Sequence, residues 1–363
     1  MKAVLLHQSI HKHDAIGNDI AHMYHLLGQN HEVCVYCDHL FNPGLKQIDR
    51  KELLNILSNE DNLILYHHSN HWEEGEALLD RTKAKVIIRY HCITPESFFQ
   101  PYSNHCYLLC KNGREQTARM YKKYPEVLWM AASFHNIVDA GIHDATQAVV
   151  VPPFHNLEQW KDTVPDESIL SSLMESPGIK LLFVGRVCPH KGHRVLMEIV
   201  RDFTSYYGTD ISLYIVGKTD SELGPYNEEL VQMVADYRLE DQVVWVSEVN
   251  DATLLSYYLG CDFYVNCSDH EGFCVPVVEA QSLCLPVISK RTSAIPETMG
   301  REQLMLGHDP MDYTAAIHLL SQDDEIRDYL VRMGLENYLN RFSTPVIQEK
   351  FVEAVENFTG VRL

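Results

Sequence analysis

The stretch that decides the fold spans residues 262–280 and reads Asp262-Phe263-Tyr264-Val265-Asn266-Cys267-Ser268-Asp269-His270-Glu271-Gly272-Phe273-Cys274-Val275-Pro276-Val277-Val278-Glu279-Ala280. Its first seven residues alternate and then run apolar, as a buried parallel strand does, while apolar residues recur at helical spacing over 275–283. The pattern predicts a strand, a short acidic turn and a helix. Open α/β sheets bind ligands at such junctions, so the turn is the first candidate for a functional site.

The residue types of this turn favour a ligand that carries phosphate groups. Gly272 would let the backbone approach a ligand closely, and the first amides of the following helix present unpaired donors and a positive dipole end. Glu271 and Glu279 flank the turn as a pair of carboxylates. An alternative is that Glu279 accepts from amides of the first helical turn and Glu271 forms a salt bridge within the loop.

A second strand and loop precede this turn. Residues 181–186, LLFVGR, predict a buried strand that ends near Gly185, and the loop Pro189-His190-Lys191-Gly192 follows. Arg186 and Lys191 are suited to neutralise a diphosphate, the Arg through its planar fork and the Lys as a point charge. Strand patterns at residues 210–216 and 243–247 and a helical pattern at 254–258 lie between this loop and residue 262.

In this order, these pieces resemble the donor domain of the retaining GT-B glycosyltransferases, especially the GT4 family (glycosyl transferases group 1), whose signature is two Glu separated by seven residues around Gly-Phe. Residues 89–99, RYHCITPESFF, are similar to a Tyr-His-Asn-Ile-Thr-Pro-Pro segment of bacterial members that assemble polysaccharide or lipopolysaccharide. Here Cys92 replaces the Asn and Glu96 the second Pro. The resemblance implies the GT-B fold, two Rossmann-like doubly wound parallel-sheet domains facing a cleft.

The resemblance also implies roles for individual residues. The catalytic residues would be His91 near the transferred sugar, Glu271 on the sugar hydroxyls, and Arg186 and Lys191 on the leaving diphosphate, while Glu279 would accept both ribose hydroxyls. The implied donor-binding set is Gly17, Gly185, Arg186, Lys191, Val246, Glu271, Gly272, Phe273, Cys274, Val275 and Glu279.

Two of these assignments leave alternatives open. Residues 8–19 are predicted to form a polar loop before a helix, with Gly17 where the family loop often has two adjacent glycines. Asn18 or Asp19 in that loop is alternatively a simple helix N-cap. His91, at the carboxyl end of a predicted strand, alternatively only forms a hydrogen bond to a loop carbonyl.

Length and periodicity predict two domains. A chain of 363 residues is too long for one ordinary core. Five strand patterns alternate with helical patterns in the first half, which predicts a parallel sheet, at residues 2–7, 32–36, 62–66, 85–90 and 128–131. We expect an N-terminal acceptor domain at 1–160, a donor domain at 161–343 with a hinge in the polar stretch 154–177, and a C-terminal helix at 344–363 that packs back on the first domain, as in GT-B enzymes.

Charge and hydropathy limit the partners and the cellular location that the sequence allows. The net charge of −20 argues against nucleic acid as a partner. Residues 1–165 hold 15 Lys and Arg against 19 Asp and Glu, and the remainder holds 15 against 31. A basic cluster on one predicted helix suits either peripheral contact with the inner face of the cell membrane or a solvated face, and comprises Lys111, Arg114, Arg119, Lys122 and Lys123. The first apolar run is too short for a secretory signal, which predicts a cytoplasmic protein.

Cysteine and histidine patterns give no metal signature. Cys34 and Cys37 form a single CxxC without a second pair at zinc-site spacing, and we expect the scattered cysteines to be reduced core thiols. The histidines at 67, 68 and 71 lack the Asp-x-Asp carboxylates of metal-dependent GT-A transferases. Because Arg, Lys and a helix dipole stabilise the leaving group in GT-B chemistry, we expect activity without a divalent metal and no cofactor.

These expectations combine into one leading function and two alternatives. The leading prediction is a retaining transfer of a sugar from a nucleotide-diphosphate sugar, with a lean towards GDP-mannose or a UDP-sugar, to a glycan or lipid-linked acceptor in bacterial surface polysaccharide synthesis. One alternative is another GT-B enzyme, either a transferase for a small soluble acceptor or a nucleotide-sugar epimerase. The other is a catalytically silent nucleotide-sugar-binding subunit, which retention of Arg186, Lys191, Glu271 and Glu279 disfavours.

Overall fold

The computed structural model describes residues 1–12, 14–208 and 210–363, and these residues form two compact units. The first unit consists of Met1–Glu96, Tyr107–Asn156 and Ser343–Leu363, and the second of Ser97–Cys106 and Leu157–Phe342. Each unit contains a six-stranded parallel sheet whose strands alternate with helices along the chain. The predicted class, two Rossmann-like parallel α/β domains, is confirmed.

The elements follow one another as the periodicity predicts. Up to residue 156 they are β1 (Lys2–Leu6), β2 (Ser9–Ile10), α1 (Ala15–Leu27), β3 (Glu32–Tyr36), β4 (His39–Leu40), α2 (Arg50–Leu57), β5 (Leu63–His68), α3 (Glu73–Leu79), β6 (Lys85–Tyr90), α4 (Asn104–Lys123), β7 (Leu128–Ala131), α5 (Phe134–Asp139) and β8 (Ala148–Val150). The remaining elements are α6 (Leu157–Trp160), α7 (Glu167–Glu175), β9 (Ile179–Val184), α8 (His193–Tyr207), β10 (Ile211–Val216), α9 (Gly224–Tyr237), β11 (Val243–Val246), α10 (Asp251–Gly260), β12 (Phe263–Asn266), α11 (Val275–Ser282), β13 (Val287–Lys290), α12 (Ile295–Met299), β14 (Leu304–Leu306), α13 (Pro310–Gln322), α14 (Asp324–Arg341) and α15 (Thr344–Thr359).

The strand orders place the candidate residues at neighbouring strand ends. The first sheet has the order β3-β1-β5-β6-β7-β8 and the second β11-β10-β9-β12-β13-β14. All pairs are parallel, so the carboxyl ends of the strands of one sheet lie along one edge. In the second sheet β9 lies between β10 and β12, which brings the loop after β9 beside the turn after β12.

Helix α15 contributes to the core of the first unit. Its residues Ile347, Phe351 and Val355 are fully buried and belong to the same apolar cluster as Leu5 and Leu65 of the sheet. The periodic apolar face that suggested this helix in the sequence is therefore the face that it buries. No helix among the described residues combines the length and the apolar composition that crossing a bilayer requires.

The structure differs from the sequence prediction between residues 8 and 19. We expected a polar loop there, but β2 forms within it and α1 already begins at Ala15. The N-cap is Asp14, whose Oδ1 accepts from Gly17 N at 2.6 Å, so the alternative of an N-cap at Asn18 or Asp19 is wrong. Asp19 is instead fully buried inside the helix.

The stretch 154–177 contains more structure than the predicted hinge. It includes α6 and α7, and α7 packs on α10, where Ser256 Oγ donates to the main-chain oxygen of Asp166 at 3.1 Å. A Cβ on Gly260 would lie 2.7 Å from Leu173 Cδ1, so the two helices approach closely at that point. Most of this polar passage is therefore part of the second unit rather than a free connection.

Candidate functional site

Glu271 is held at the carboxyl end of β12 by a network of short polar side chains. Ser268 Oγ lies 2.7 Å from both Asn266 Oδ1 and Glu271 Oε1. The main-chain N–H of Glu271 donates to Ser293 Oγ at 2.8 Å. The Glu271 side chain is only 7% exposed, so its carboxylate is fixed before any ligand arrives.

Lys191 is the cation that faces this carboxylate. Its Nζ lies 2.7 Å from Glu271 Oε1, and the Lys side chain is 21% exposed. Burial alone would lower the pKa of Lys191, but the adjacent Glu271 charge outweighs burial and the pKa is raised. The ion pair joins two residues that lie 80 positions apart in the sequence.

Gly192 allows the Lys191 loop to reach the β12 turn. It has φ 75°, and a Cβ at this position would lie 2.1 Å from the main-chain oxygen of Cys267. Any other residue would therefore force the loop away from the turn. The Asp269 N–H donates to the main-chain oxygen of His190 at 2.7 Å and ties the two segments together.

A second ion pair lies one strand further along the same edge. Lys290 ends β13, is 3% exposed and forms a hydrogen-bonded ion pair with Asp269. Thr292 Oγ1 donates to the main-chain oxygen of Asp269 at 3.0 Å. The turn after β12 thus presents two carboxylates that are each already paired with a lysine.

The sharp bend before α11 occurs at Cys274 and not at Gly272. Cys274 adopts the left-handed conformation, φ 74° and ψ 73°, directly before the helix that begins at Val275. The expectation that Gly272 lets the backbone approach a ligand closely stays a prediction. Thr298 Oγ1 donates to the main-chain oxygen of Phe273 at 2.6 Å, which fixes the bend from α12. Burial raises the pKa of the Cys274 thiol well above its ordinary value, so the side chain stays uncharged.

Glu279 faces a tyrosine rather than a cation. Tyr258 OH donates to Glu279 Oε2 at 2.6 Å, from α10 to α11. Burial raises the pKa of Glu279 to about 7, although the Tyr258 hydrogen bond acts in the opposite direction. This carboxyl therefore changes its charge near neutral pH.

Gly185 and Arg186 follow β9, and Val246 ends β11, which lies on the other side of β10 in the second sheet. Arg186 is exposed, and among the described residues no carboxylate lies within ion-pair distance of it. A Cβ on Gly217 would lie 2.0 Å from the main-chain oxygen of Gly185, so the loops after β9 and β10 touch. The main-chain oxygen of Val246 accepts a hydrogen bond from Gly217 N at 2.8 Å, so the loop after β10 already uses this oxygen.

In the first unit, His91 is paired with a second histidine. His67 Nδ1 and His91 Nε2 are 3.0 Å apart, and the two rings are stacked with centroids 5.2 Å apart. His7 Nδ1 donates to the main-chain oxygen of His67 at 2.8 Å. Burial lowers the pKa of both His67 and His91 well below the ordinary value, so the pair is uncharged at neutral pH.

The histidine pair lies beside a buried ion pair. Arg89 Nε donates to Asp19 Oδ2 at 2.8 Å, and both side chains are fully buried. Ligand atoms of Asp19, His67 and His91 come within 4.8 Å of one another, a spacing that a metal ion could use. The guanidinium already occupies Asp19 and opposes a cation there, so these residues do not favour a metal.

Gly17 lies in the first turn of α1 in the first unit. A Cβ on Gly17 would lie 1.7 Å from the main-chain oxygen of His11, so close packing against the preceding segment accounts for this glycine.

In the second unit, the structure brings two of the predicted site residues, Lys191 and Glu271, into contact, and Arg186 follows the same strand as Lys191. Ser268, Ser293 and Tyr258 complete the site, and the sequence alone did not single them out.

The basic cluster on α4 is largely neutralised. Arg114 Nη1 lies 2.9 Å from Asp139 Oδ2, Arg119 pairs with Glu76 at 3.1 Å, and Lys123 pairs with Asp80. Three of the five cations therefore already have carboxylate partners from neighbouring elements. This arrangement favours the solvated-face interpretation of the cluster over a membrane-binding patch.

Curated proteins are similar to part of this chain. The D-inositol 3-phosphate glycosyltransferase of Acidothermus cellulolyticus is 29% identical over 161 residues, which cover 43% of this chain and 36% of that protein. The chain matches less than half of the length of such curated relatives.

Solved structures with low sequence identity share the fold. Anabaena Alr3699/HepE in complex with UDP and glucose has a TM-score of 0.73 at 17% identity, covering 98% of this chain and 100% of that one. WaaG, a glycosyltransferase involved in lipopolysaccharide biosynthesis, has a TM-score of 0.68 at 13% identity, covering 99% and 100%. The fold shared with these glycosyltransferases is the GT-B fold.

The family described as glycosyl transferases group 1 matches residues 169–336. That segment contains Arg186, Lys191, Glu271 and Glu279, together with β9 to β14. The match therefore covers the second sheet and its acidic turn, and it extends over less than half of the chain.

Proposed function

We propose that this protein is a retaining glycosyltransferase that moves a sugar from a nucleotide-diphosphate sugar to a glycan or lipid-linked acceptor. The observation that carries the proposal is the Lys191–Glu271 pair at the adjoining ends of β9 and β12, inside the family segment. The UDP and glucose bound to Anabaena HepE support a UDP-sugar donor, and a GDP-sugar is the competing choice. The named role of WaaG in lipopolysaccharide biosynthesis supports a surface glycan as the product.

The chemistry requires stabilisation of charge on the leaving group. Breaking a glycosyl–phosphate bond develops negative charge on the nucleoside diphosphate and positive charge on the sugar ring. Lys191 and Arg186 supply cations for the diphosphate, and the amides near Cys274 add donors from the start of α11. Because these groups stabilise the leaving diphosphate themselves, we expect no requirement for a divalent metal.

Glu271 and Glu279 would bind different parts of the donor, the transferred sugar and the ribose. Glu271 is buried, fixed by Ser268 and paired with Lys191, which suits a carboxylate that orients hydroxyls of the transferred sugar. Glu279 would accept the ribose hydroxyls. His91 would contact the transferred sugar as a neutral imidazole, since its pKa is lowered well below the ordinary value by burial.

Calorimetry with UDP and GDP on three variants tests these roles. We expect Glu271→Ala to abolish sugar transfer and leave nucleotide affinity nearly intact, because the freed Lys191 can still face the diphosphate. Lys191→Ala and Glu279→Ala should each weaken nucleotide binding. Glu248→Gln, at an exposed carboxylate 3.9 Å from Lys218, is the matched control and should change neither property. Equal losses of affinity in all three site variants would contradict the assignment.

A small soluble acceptor is the second candidate, and the ion pairs of α4 favour it. With Arg114, Arg119 and Lys123 already paired, the argument for contact with a lipid surface is weakened. The Acidothermus relative is named for a small phosphorylated acceptor, D-inositol 3-phosphate. Transfer assays with water-soluble acceptors and with lipid-linked saccharides in vesicles distinguish the two candidates.

A further inference from the structure

Tyr258 contacts the Glu279 carboxylate through a short hydrogen bond. Its OH lies 2.6 Å from Glu279 Oε2, whereas Tyr258 itself is 1% exposed and cannot reach solvent. The phenol ring is fixed by stacking on Tyr264, with centroids 6.3 Å apart, and by Trp160 at 5.8 Å. A rigid donor of this kind selects one position of the carboxylate.

The other groups that act electrostatically on Glu279 and Tyr258 do not supply a cation. Asp251 on α10 is an anion that disfavours a charged Glu279, and Tyr264 on β12 and Cys274 before α11 are uncharged groups whose pKa values burial raises. Lys191 pairs with Glu271 instead. The hydroxyl of Tyr258 is therefore the described group that stabilises the ionised form of Glu279.

We propose that Tyr258 is a positioning residue for the donor nucleotide: its hydroxyl engages Glu279 Oε2 and leaves Oε1 for the ribose hydroxyls. This inference rests on the proposed function, because it takes the ribose of a nucleoside diphosphate as the ligand of Glu279. A protonated carboxyl has one oxygen that donates and can no longer accept from both hydroxyls of a diol. Nucleotide affinity should therefore depend on pH through Glu279, and Tyr258 should set where that dependence falls.

The direct test is the UDP affinity of the full chain, measured by calorimetry between pH 6 and pH 9 for the wild type and Tyr258→Phe. The wild-type affinity should rise with pH as Glu279 ionises. In Tyr258→Phe the midpoint of this rise should move upward by about one pH unit, with about a tenfold loss of affinity at pH 7. Tyr257→Phe is the matched control, because Tyr257 is on the same helix but packs on Tyr214 with ring centroids 5.6 Å apart.

A second nucleotide separates positioning from a general structural effect. 2′,3′-Dideoxy-UDP carries the same base and diphosphate but no diol, so Tyr258→Phe should leave its affinity unchanged. Equal loss of affinity for both nucleotides, or an unmoved midpoint with UDP, overturns the role of Tyr258. Should Tyr258→Phe fail to fold, 3-fluorotyrosine in place of Tyr258 makes the hydroxyl a stronger donor and should move the midpoint downward, and an unmoved midpoint again overturns it.

The same experiment distinguishes this inference from the proposed function. If the wild type binds neither UDP nor GDP at any pH, the proposed function fails and the inference fails with it. If the wild type binds UDP and Glu279→Gln removes the pH dependence, the ribose assignment stands. A Tyr258→Phe profile identical to that of the wild type would then contradict the positioning role alone.

Discussion

The carboxyl ends of the two sheets have the same architecture and opposite chemistry. In the first unit, the strand ends carry His7, His67 and His91, whose pKa values are all lowered, mainly by burial. In the second unit, the strand ends carry the pairs Lys191–Glu271 and Lys290–Asp269. Parallel sheets therefore determine where a site lies, while the loops after the strands determine whether it is neutral or charged. A neutral end suits uncharged sugar hydroxyls, and a charged end suits a diphosphate.

The largest effect that tests this comparison is acid unfolding of the first unit. Burial lowers the pKa of His7, His67, His68 and His91, and that of His68 falls to about 3. The unfolded chain binds these protons near pH 6.5 and the folded unit does not, so stability is lost as pH falls below 6.5. Four such groups remove up to about 4 kcal/mol between pH 6.5 and 5.5.

Pulsed hydrogen exchange after a jump to pH 5.5 measures this loss by peptide. The first unit should open before the second, in which the described histidines with lowered pKa are His190 and His193. His68→Gln is the matched variant, because the glutamine amide can replace the hydrogen bond of His68 to Thr117 without a proton to gain. Simultaneous opening of both units would contradict the prediction that the buried histidines make the first unit more sensitive to acid.

The next effect concerns the charged end. Lys191→Met should lower the free energy of unfolding by about 3 kcal/mol, because it leaves Glu271 buried without its counterion. Adding Glu271→Gln should recover most of this loss, since the remaining polar group is then uncharged. Urea unfolding measures both values, and Lys218→Met, which breaks an exposed pair, should cost close to nothing. If the double variant is no more stable than Lys191→Met, the unpaired charge of Glu271 is not the cause of the lost stability.

Glu279 is predicted to lower the stability of the ligand-free protein and to raise its affinity for the nucleotide. Its pKa is raised to about 7 by burial, so folding opposes its ionisation and stability falls as pH rises from about 4.5 to 7. Glu279→Gln should therefore raise the unfolding free energy of the ligand-free protein at pH 8 by about 3 kcal/mol. The same variant should bind UDP more weakly. Thermal unfolding at pH 5 and pH 8 is the measurement, and an equal change at both pH values would contradict the assignment.

The smallest effect is expected on the surface of α4. Replacement of its two cations without a described ion pair, Lys111→Gln with Lys122→Gln, should change partition into anionic vesicles less than twofold. A salt-dependent loss of vesicle binding in this variant would instead support the lipid-linked acceptor over the soluble one. Flotation at low and high salt distinguishes the two outcomes.

Buried parallel strands were predictable because continuous apolar runs leave few alternatives. β3, β6 and β7 have the bounds that the sequence predicts, and α11 begins at the predicted Val275. The start of α1 was missed because Gly17, Asn18 and Asp19 are poor helix formers, and their placement depends on the Asp14 cap and on the Arg89 bond to Asp19.

The sequence predicted the charged residues of the candidate site but not the residues that support them. Arg186 and Lys191 follow β9, Glu271 follows β12 and Glu279 lies in α11, and the roles that the family resemblance implies for them stay predictions. The left-handed conformation of Cys274 was not predicted, because a non-glycine residue rarely adopts it and the contact of Thr298 with the adjacent Phe273 comes from a distant element. Contacts such as Ser293 to Glu271 and Tyr258 to Glu279 join distant parts of the chain, and no local pattern encodes them.

We propose above all that the charged strand ends of the second unit bind a nucleoside diphosphate. A thermal-shift panel of UDP, GDP, ADP, dTDP and CDP with their common sugar conjugates, with magnesium and with EDTA, tests it most directly, because a ligand of the native state raises the melting temperature. We expect a clear rise with one nucleotide that EDTA does not change and that Lys191→Ala reduces. No rise with any nucleotide, or a rise that Lys191→Ala leaves intact, would contradict it.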